Sequence, residues 1–134
     1  MMKKVKYKIK KLKVHLDDRG WLVELLKADQ IEKPVKQIHI SSINPGYVRG
    51  NHYHLKRMEW FFVIAGETEL GLEDIKTKKK VRFKLSSKNP RVITIFPRVA
   101  HAVKNIGQGM AYFVSAQSDI FNPKKSDRIL YKIL

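Results

Sequence analysis

The sequence contains no cysteine among its 134 residues. This absence excludes disulfides, thiolate zinc sites, iron–sulfur clusters and a cysteine nucleophile, and the composition is not that of a small secreted disulfide scaffold. Any metal site has to be built from histidine and carboxylate ligands. The length predicts one domain, residues 1–134, and a hydrophobic content of 43% is enough for a real core.

Long hydrophobic runs are also missing. The longest run, Trp60 to Ala65, is far shorter than the roughly 18 residues that a membrane-spanning helix needs. The charged start, Met1 to Lys4, resembles the beginning of a signal peptide, but lysines interrupt the segment Val5 to Leu16 where an apolar stretch would be required. We therefore expect a cytoplasmic protein with no membrane partner.

Acidic residues are scarce, since 12 Asp and Glu stand against 28 Lys and Arg, for a net charge of +16. Such an excess indicates nucleic acid, an acidic membrane surface or a phosphorylated small molecule as partner. A lysine-rich surface of the kind that heat-stable proteins carry is the alternative. The lysines are scattered singly, except for the cluster 78–80, and no nucleic-acid-reading motif is present. We therefore expect no nucleic-acid partner.

Helical periodicity is scarce as well, whereas alternation of apolar and polar residues recurs along the chain. We predict about ten short strands, no long helix, and an all-β sandwich or barrel. We interpret Thr68–Glu73 as the hairpin partner of Glu59–Ala65, across a turn at Gly66. The weak alternation of Arg128–Leu134 predicts an edge strand. The other predicted strands are Val5–Ile9, Leu12–Leu16, Val35–Ile43, Val81–Leu85, Val92–Phe96 and Met110–Ala116.

Three of the five histidines occupy informative positions. On a strand, the side chains of His52 and His54 project from the same face, and Glu59 begins the next apolar strand. A buried carboxylate without a cation or donor is costly, so Glu59 needs a partner. With His101 from farther along the chain, these residues could form a site whose nitrogen and oxygen donors suit Zn, Fe, Mn, Ni or Cu. The alternative is a solvent-facing histidine pair.

The spacing of these residues resembles the first motif of the cupin superfamily. Its five positions are present with every interval kept: Gly46, His52, His54, Glu59 and Gly66. The second motif is kept in part, because His101 and Asn105 are present but Arg98 replaces the usual glycine. The resemblance implies a double-stranded β-helix, or jelly-roll barrel, with one divalent metal ion in its mouth. The implied ligands are His52, His54, Glu59 and His101.

A narrower resemblance covers nearly the whole chain. The segments Asp17–Glu24 and Pro45–His54 are similar to the sugar-nucleotide epimerase and ketoisomerase branch of the cupins, which includes the dTDP-4-dehydrorhamnose 3,5-epimerases. The match is closest to the metal-binding C-terminal cupin domain of capsular polysaccharide assembling proteins, which share the tail Phe121–Pro123. This resemblance implies an epimerase or isomerase acting on a nucleotide-linked 4-keto-6-deoxy sugar in surface polysaccharide biosynthesis. Zinc is the first choice of metal, with iron, manganese or nickel as alternatives.

The same resemblance implies contacts with a nucleotide-diphosphate sugar. Arg19 and Arg49 correspond to arginines that hold the diphosphate, for which a guanidinium fork is well suited. Asn51 and Tyr47 are further candidates for substrate binding. A homodimer is also implied, with the strand from Val5 to Leu16 as the segment that the subunits exchange.

The catalytic groups are less determined by the resemblance. In the metal-free epimerases of this branch the residue at His52 is the general base, its neighbour at His54 is a glutamine, and a tyrosine acid stands at Ser115. A histidine at position 54 favours the metal-binding branch. If His52 binds metal it cannot also be the base, which leaves Tyr53, His39 or a hydroxide at the metal as candidates.

Two other classes of function remain open at this point. The first is a noncatalytic cupin that binds a sugar or nucleotide, which the loss of the tyrosine position would favour. The second is another metal-dependent cupin enzyme such as a dioxygenase, because one barrel hosts many reactions. The segments around Arg19 and Arg49 favour the sugar-nucleotide branch over this second class.

Overall fold

The computed structural model describes residues 6–134, so Val5, the first residue of a predicted strand, lies outside the described residues. This part of the chain has a single short 3-10 helix, Ala28–Gln30, and no α-helix. Its strands, in chain order, are β1 (Tyr7–Lys11), β2 (His15–Asp17), β3 (Gly20–Leu22), β4 (Gln37–Ile43), β5 (Val48–His54), β6 (Glu59–Ala65), β7 (Glu67–Asp74), β8 (Lys80–Ser86), β9 (Arg91–Ile95), β10 (Val99–Asn105), β11 (Ala111–Gln117) and β12 (Arg128–Leu130).

Ten of these strands form two five-stranded antiparallel sheets that face each other. The first sheet has the order β1-β9-β6-β11-β4, and the second has the order β12-β5-β10-β7-β8. The remaining two, β2 and β3, pair only with each other. The predicted all-β jelly-roll architecture is confirmed, and so is the edge strand near the C-terminus, because β12 pairs with β5 at one border of the second sheet.

The core lies between the two sheets because alternate residues of each strand point inward. Phe61 of β6 and Phe113 of β11 have ring centroids 4.6 Å apart at its centre. Trp60, the neighbour of Phe61, faces the opposite side of the first sheet and is also buried, in a second cluster covered by partly buried residues such as Leu26 and Ile31. Strand β6 is therefore covered on both faces, which explains its uninterrupted apolar sequence.

The predicted hairpin of β6 and β7 is wrong. Strand β6 pairs with β9 and β11 in the first sheet, whereas β7 pairs with β8 and β10 in the second. The chain crosses between the sheets at Gly66, whose φ is +90°. A Cβ at this position would lie 2.7 Å from the Cα of Ala111, so only glycine fits this close approach.

The outer face of the first sheet exposes apolar side chains at its border. Strand β4 is the last strand of this sheet, and Ile38 and Ile40 on its outer face are 62% and 67% exposed. Tyr112 on the adjacent strand β11 is also exposed. A bare edge strand beside an apolar face is a typical site of association.

Across residues 6–134, no helix has the length and apolar character required to cross a membrane. The cytoplasmic location stays a prediction.

Candidate functional site

A cavity of about 610 Å³ opens between the two sheets. Three of the strands that line it carry the predicted ligands: β5 with His52 and His54, β6 with Glu59, and β10 with His101. Apolar core residues, among them Phe61 and Phe113, form other parts of the wall. The four predicted ligands thus come from both sheets and from positions as far apart in the sequence as 52 and 101.

The local geometry of β5 depends on an irregularity just before the ligands. His101 pairs directly with His52, but Ala102 pairs with Gly50, so Asn51 is an extra residue on β5. Both residues of this bulge have positive φ, +97° at Gly50 and 56° at Asn51. A Cβ at Gly50 would lie 2.7 Å from the carbonyl oxygen of His101, so glycine allows the two strands to approach at the site.

The four predicted ligands lie together. One donor atom from each of His52, His54, Glu59 and His101 lies within 4.8 Å of the others. His54, Glu59 and His101 are buried, whereas His52 is partly buried. The ring centroids of His52 and His101 are 4.7 Å apart. The side chains that the sequence pattern selects are therefore close enough to share one cation.

The hydrogen bonds around two of these rings determine which nitrogen faces the cluster. Nδ1 of His101 lies 3.1 Å from the carbonyl oxygen of Val99, and a carbonyl only accepts, so this nitrogen carries the proton. Nδ1 of His54 likewise donates to the Asp127 carboxylate at 3.0 Å. In the neutral form of each ring, Nε2 therefore has a lone pair directed at the cluster.

These lone pairs face a carboxylate rather than a donor. Oε1 of Glu59 lies 2.8 Å from Nε2 of His54 and 3.7 Å from Nε2 of His101. Neither contact has hydrogen-bond geometry, and both Nε2 atoms are buried without a hydrogen-bond partner in the described part of the chain. Acceptor atoms that converge in this way need a positive charge between them. The donor set therefore fits a divalent metal ion with nitrogen and oxygen ligands.

The charges at the site are consistent with this fit. Burial lowers the pKa of His101, although Glu59 opposes the effect, so this imidazole is neutral at physiological pH. Burial also lowers the pKa of His52 to about 4, assisted by the proximity of His101. Burial acts to lower the pKa of His54 too, but the carboxylates of Glu59 and Asp127 outweigh it and raise that pKa.

Asp127 is a functional candidate that the sequence pattern missed. Besides His54 Nδ1, it accepts hydrogen bonds from the backbone N–H groups of Lys56 and Arg57, each at 3.1 Å. It therefore fixes both the ring of His54 and the turn that leads from β5 to β6. Asp127 follows Ser126 in a loop without any periodic signal, so only a search for a carboxylate partner of each ligand histidine could have suggested it.

Three arginines also line the cavity, whereas Glu59 is its only acidic lining residue. Arg49 donates from Nε to the carbonyl oxygen of Ser42 at 2.7 Å, and so connects the second sheet to strand β4. The remaining two were not selected from the sequence. This set of guanidinium groups gives the cavity a positive potential that suits an anionic ligand.

The two additional arginines differ in their bonding. Arg57 is mostly buried and donates from Nε to Asp119 Oδ1 at 2.5 Å. The guanidinium of Arg128 has no hydrogen bond or ion pair anywhere in residues 6–134 and is exposed. Arg128 is therefore available to a ligand that enters the cavity.

Tyr53 does not belong to this cavity, contrary to its interpretation as a catalytic candidate. Neighbouring residues of a strand point to opposite faces, so Tyr53 lies on the outer side of β5 between two inward histidines. Its ring packs against Tyr131, with centroids 5.9 Å apart. The alternation that selected His52 and His54 already contradicted this candidate.

Asn51, a predicted substrate-binding residue, does not line the cavity either. Its Oδ1 accepts hydrogen bonds from the backbone N–H groups of Ile133 and Leu134, at 2.8 and 3.0 Å, and its Nδ2 donates to the carbonyl oxygen of Leu134 at 3.1 Å. The bulge turns this side chain away from the cavity, and the C-terminal segment uses its hydrogen-bonding groups. Asn51 therefore has a structural role.

The other two predicted substrate contacts lie outside the cavity of this chain. Tyr47 is 68% exposed and is absent from the cavity wall. Arg19 lies in the turn of the β2–β3 hairpin, where its exposed guanidinium pairs with Asp17 at 2.5 Å. Of the four predicted substrate contacts, only Arg49 lines the cavity.

Comparison with known proteins assigns the family. The model of the family described as "Polysaccharide biosynthesis C-terminal domain" matches residues 15–129. The chain belongs to this family. The matched region of this polysaccharide biosynthesis C-terminal domain includes all four clustered residues as well as Asp127.

Individual relatives agree with this assignment. The spore coat polysaccharide biosynthesis protein SpsL of Bacillus subtilis is 28% identical over 126 residues, covering 90% of this chain and 83% of that protein. The dTDP-6-deoxy-D-glucose-3,5-epimerase RmlC of Legionella pneumophila, solved in complex with dTDP-4-keto-L-rhamnose, is 27% identical with a TM-score of 0.80, covering 88% of this chain and 69% of that one. The resemblance to the sugar-nucleotide epimerase branch of the cupins is confirmed.

The capsular polysaccharide assembling protein CapF of Staphylococcus aureus shares the fold. It is 22% identical, with a TM-score of 0.72. The match covers 91% of this chain and 34% of that longer protein. The likeness to CapF therefore shows the fold alone, over that part of the longer protein.

Proposed function

We propose that this protein is a metal-dependent epimerase or isomerase that acts on a nucleotide-linked 4-keto-6-deoxy sugar in surface polysaccharide biosynthesis. The observation that carries the proposal is the cluster of His52, His54, Glu59 and His101 in a cavity that is lined by arginines. The names of the relatives agree with it, since one is a polysaccharide biosynthesis protein and another an epimerase bound to a dTDP-linked keto sugar.

The proposed cofactor is one divalent ion per chain, with zinc as the first choice and iron, manganese or nickel as alternatives. Three of the four residues are buried, and His54 and His101 are each oriented by a hydrogen bond from Nδ1. Bound there, the ion would act as a Lewis acid that stabilises negative charge on an oxygen of the substrate.

Proton removal from a carbon beside a ketone requires a base near that carbon and positive charge near the developing enolate oxygen. Outside the four clustered residues and the arginines, His39 is the only titratable residue among those of 6–134 that line the cavity. His52 has two possible roles, as the fourth ligand or as the base. Unlike the other two clustered histidines, its ring is oriented by no hydrogen bond within residues 6–134.

The arginines of the cavity would hold the diphosphate of the nucleotide sugar. Arg49 and Arg57 are already fixed by Ser42 and Asp119, whereas the guanidinium of Arg128 has no partner in the described part of the chain. A guanidinium group binds phosphate oxygens through two parallel hydrogen bonds. We therefore expect the positive charge of the cavity to favour ligands that carry a diphosphate.

Metal analysis tests the first half of the proposal. Protein purified without a histidine tag should contain about one divalent ion per chain, and His101→Gln should lose it. His15→Gln is the matched control, because His15 is an exposed histidine of β2 outside the cluster. His52→Gln separates the two roles of His52: loss of metal identifies a ligand, and retained metal with lost activity identifies the base. A metal-free parent protein would refute the metal site.

Deuterium exchange tests the second half. Incubation of dTDP-4-keto-6-deoxyglucose with the protein in deuterium oxide, followed by NMR, should show exchange at a carbon beside the ketone. Binding without any exchange would indicate a noncatalytic protein that binds nucleotide sugars, and would refute the proposed enzyme. Absence of binding would refute the substrate class as a whole.

The protein is proposed to act as a homodimer that associates through strand β4. The free edge of this strand and the exposed Ile38 and Ile40 support this proposal. Ile40→Lys should convert the dimer to a monomer in light scattering. Ile120→Lys is the matched control, because Ile120 is 68% exposed but lies outside β4. A wild-type protein that is monomeric at all concentrations would refute the dimer.

A further inference from the structure

A chain of side-chain hydrogen bonds runs along the first sheet, on the side of the cavity that carries His39. It begins at the backbone N–H of Phe121, which donates to Oε1 of Gln37 at 2.9 Å. Nε2 of Gln37 then donates to Oε1 of Gln117 at 2.8 Å. Because a backbone N–H only donates, the first bond fixes which end of each amide accepts.

The chain branches at Gln117. Its Nε2 donates to Nδ1 of His39 at 2.8 Å and to Oγ of Ser115 at 3.2 Å. The Ser115 hydroxyl in turn donates to Oε2 of Glu59 at 3.3 Å. An ionised carboxylate only accepts, so the Ser115 hydroxyl is the donor of this last bond. Each donor on the way from Phe121 to Glu59 therefore points towards Glu59.

The two ends of the chain, the N–H of Phe121 and the carboxylate of Glu59, therefore determine the direction of every bond between them. Turning the amide of Gln117 would place its oxygen against the lone pair of the Ser115 hydroxyl, and its N–H donors against the Nε2–H donors of Gln37. Gln117 is fully buried, at 0% exposure, so water cannot replace a lost partner. One orientation of both amides satisfies all these groups, and the reversed one leaves several buried groups unpaired.

This direction has a consequence for His39. Its Nδ1 accepts the hydrogen bond from Gln117, so the neutral ring carries its proton on Nε2. Nε2 has no hydrogen-bond partner within residues 6–134, and His39 lines the cavity. The ring also contacts Phe113 edge-on, with centroids 6.3 Å apart. The free nitrogen of His39 is thus a donor that lacks a protein acceptor.

We propose that Gln117 is a positioning residue that holds His39 in the tautomer with its proton on Nε2, so that His39 contacts the ligand as a hydrogen-bond donor rather than as a base. The ligand atom is an oxygen of the nucleotide sugar, and this part alone rests on the proposed function. A donor that is fixed before the ligand arrives stabilises negative charge on a substrate oxygen without reorganisation. His39 is then excluded as the resting base.

Long-range ¹H–¹⁵N correlation spectra of the zinc-loaded protein at mildly alkaline pH test the tautomer. The wild-type spectrum should show a protonated Nε2 and an unprotonated Nδ1 at His39. In Gln117→Glu the carboxylate accepts from Nδ1, so the proton should move to that nitrogen. Gln108→Glu is the matched control, an exposed glutamine outside the cavity, and should leave the pattern unchanged.

Two results would overturn the positioning role of Gln117. One is a wild-type His39 that carries its proton on Nδ1 or as a mixture of tautomers. The other is a well-folded Gln117→Glu whose His39 pattern equals that of the wild type. If Gln117→Glu does not fold, the wild-type spectrum still decides. None of these measurements requires a nucleotide sugar.

A matched pair of substitutions tests the contact with the ligand. The amide of glutamine at position 39 places a donor near the position of Nε2, whereas that of asparagine reaches only to the position of Nδ1. In calorimetric titrations with dTDP-glucose, His39→Asn should weaken binding about tenfold and His39→Gln by less than about threefold. Equal affinity of both variants and the wild type would refute the contact. Failure of the wild type to bind dTDP-glucose would refute the substrate class and leave the tautomer result in place.

Discussion

Asp127 offers a direct test of how the site is held. Its carboxylate accepts one hydrogen bond from Nδ1 of His54 and two from the backbone N–H groups of Lys56 and Arg57. In Asp127→Asn the amide oxygen can keep the two backbone bonds, but the amide nitrogen then faces Nδ1 of His54. The ring has to move its proton to Nε2, the nitrogen that would bind the metal. The variant should therefore fold normally and bind metal poorly.

The expected magnitude follows from these contacts. Loss of a partner that orients a ligand histidine costs about 10–100-fold in metal affinity, or about 1.4–2.8 kcal/mol. The free energy of unfolding of the metal-free protein should change little in Asp127→Asn. In Asp127→Ala the two backbone N–H groups also lose their acceptor, and unfolding should become easier by about 1–3 kcal/mol.

Competition with a chromophoric zinc chelator measures the affinity, and urea unfolding of the metal-free protein measures the stability. Asp119→Asn is the matched control, because Asp119 pairs with Arg57 and contacts none of the four clustered residues. It should retain wild-type zinc affinity. An Asp127→Asn variant that binds zinc as tightly as the wild type would show that the Asp127 contact does not orient His54.

Three further predictions follow from residues away from the clustered donors. Asn51→Ala should lower the free energy of unfolding by about 1–3 kcal/mol without changing affinity for dTDP-glucose, because its hydrogen bonds go to Ile133 and Leu134; a loss of affinity at unchanged stability would contradict this. Gly66→Ala should be destabilised by at least about 1 kcal/mol in urea unfolding, since its Cβ would collide with Ala111, and wild-type stability would contradict the crossing geometry. Arg128→Gln should weaken dTDP-glucose binding about tenfold in calorimetry, whereas Arg82→Gln, outside the cavity, should bind normally; equal affinities would refute the arginine contact.

Much of the fold and the centre of the site could be predicted from the sequence. Period-2 alternation located β8, whose two faces differ in burial. Strand β9 is buried on both faces, and the β-branched and aromatic residues of Val92–Phe96 located it instead. The interval between His52 and His54 placed them on one face of a strand, and Glu59 and His101 were candidates from their residue types. The cupin resemblance implied that all four are ligands. Pairing between strands was harder to predict. Strands β6 and β7 are adjacent in sequence but belong to different sheets, and a single glycine between two strands does not distinguish a hairpin from a crossing.

The residues around the cluster were predicted less well, for physical reasons. The role of Asn51 depends on a bulge, which changes the direction of a side chain without any mark in the alternation. Arg57, Asp127 and Arg128 lie in or beside loops, where position depends on tertiary contacts that a local pattern does not contain. The role of His39 depends on Gln117, which lies 78 residues away.

The unequal support of strand β5 has a consequence for the dynamics of the site. On one side β5 pairs with β10, and on the other with the three residues of β12, after which Asn51 forms hydrogen bonds to the segment that follows β12. Asp127 and Arg128 lie at the start of β12, so a local opening of this short strand would release the ring of His54 and withdraw Arg128 from the cavity in one event. Amide hydrogen exchange of residues 128–130 and metal dissociation should then share a rate-limiting opening. A ligand that engages Arg128 should slow both processes together.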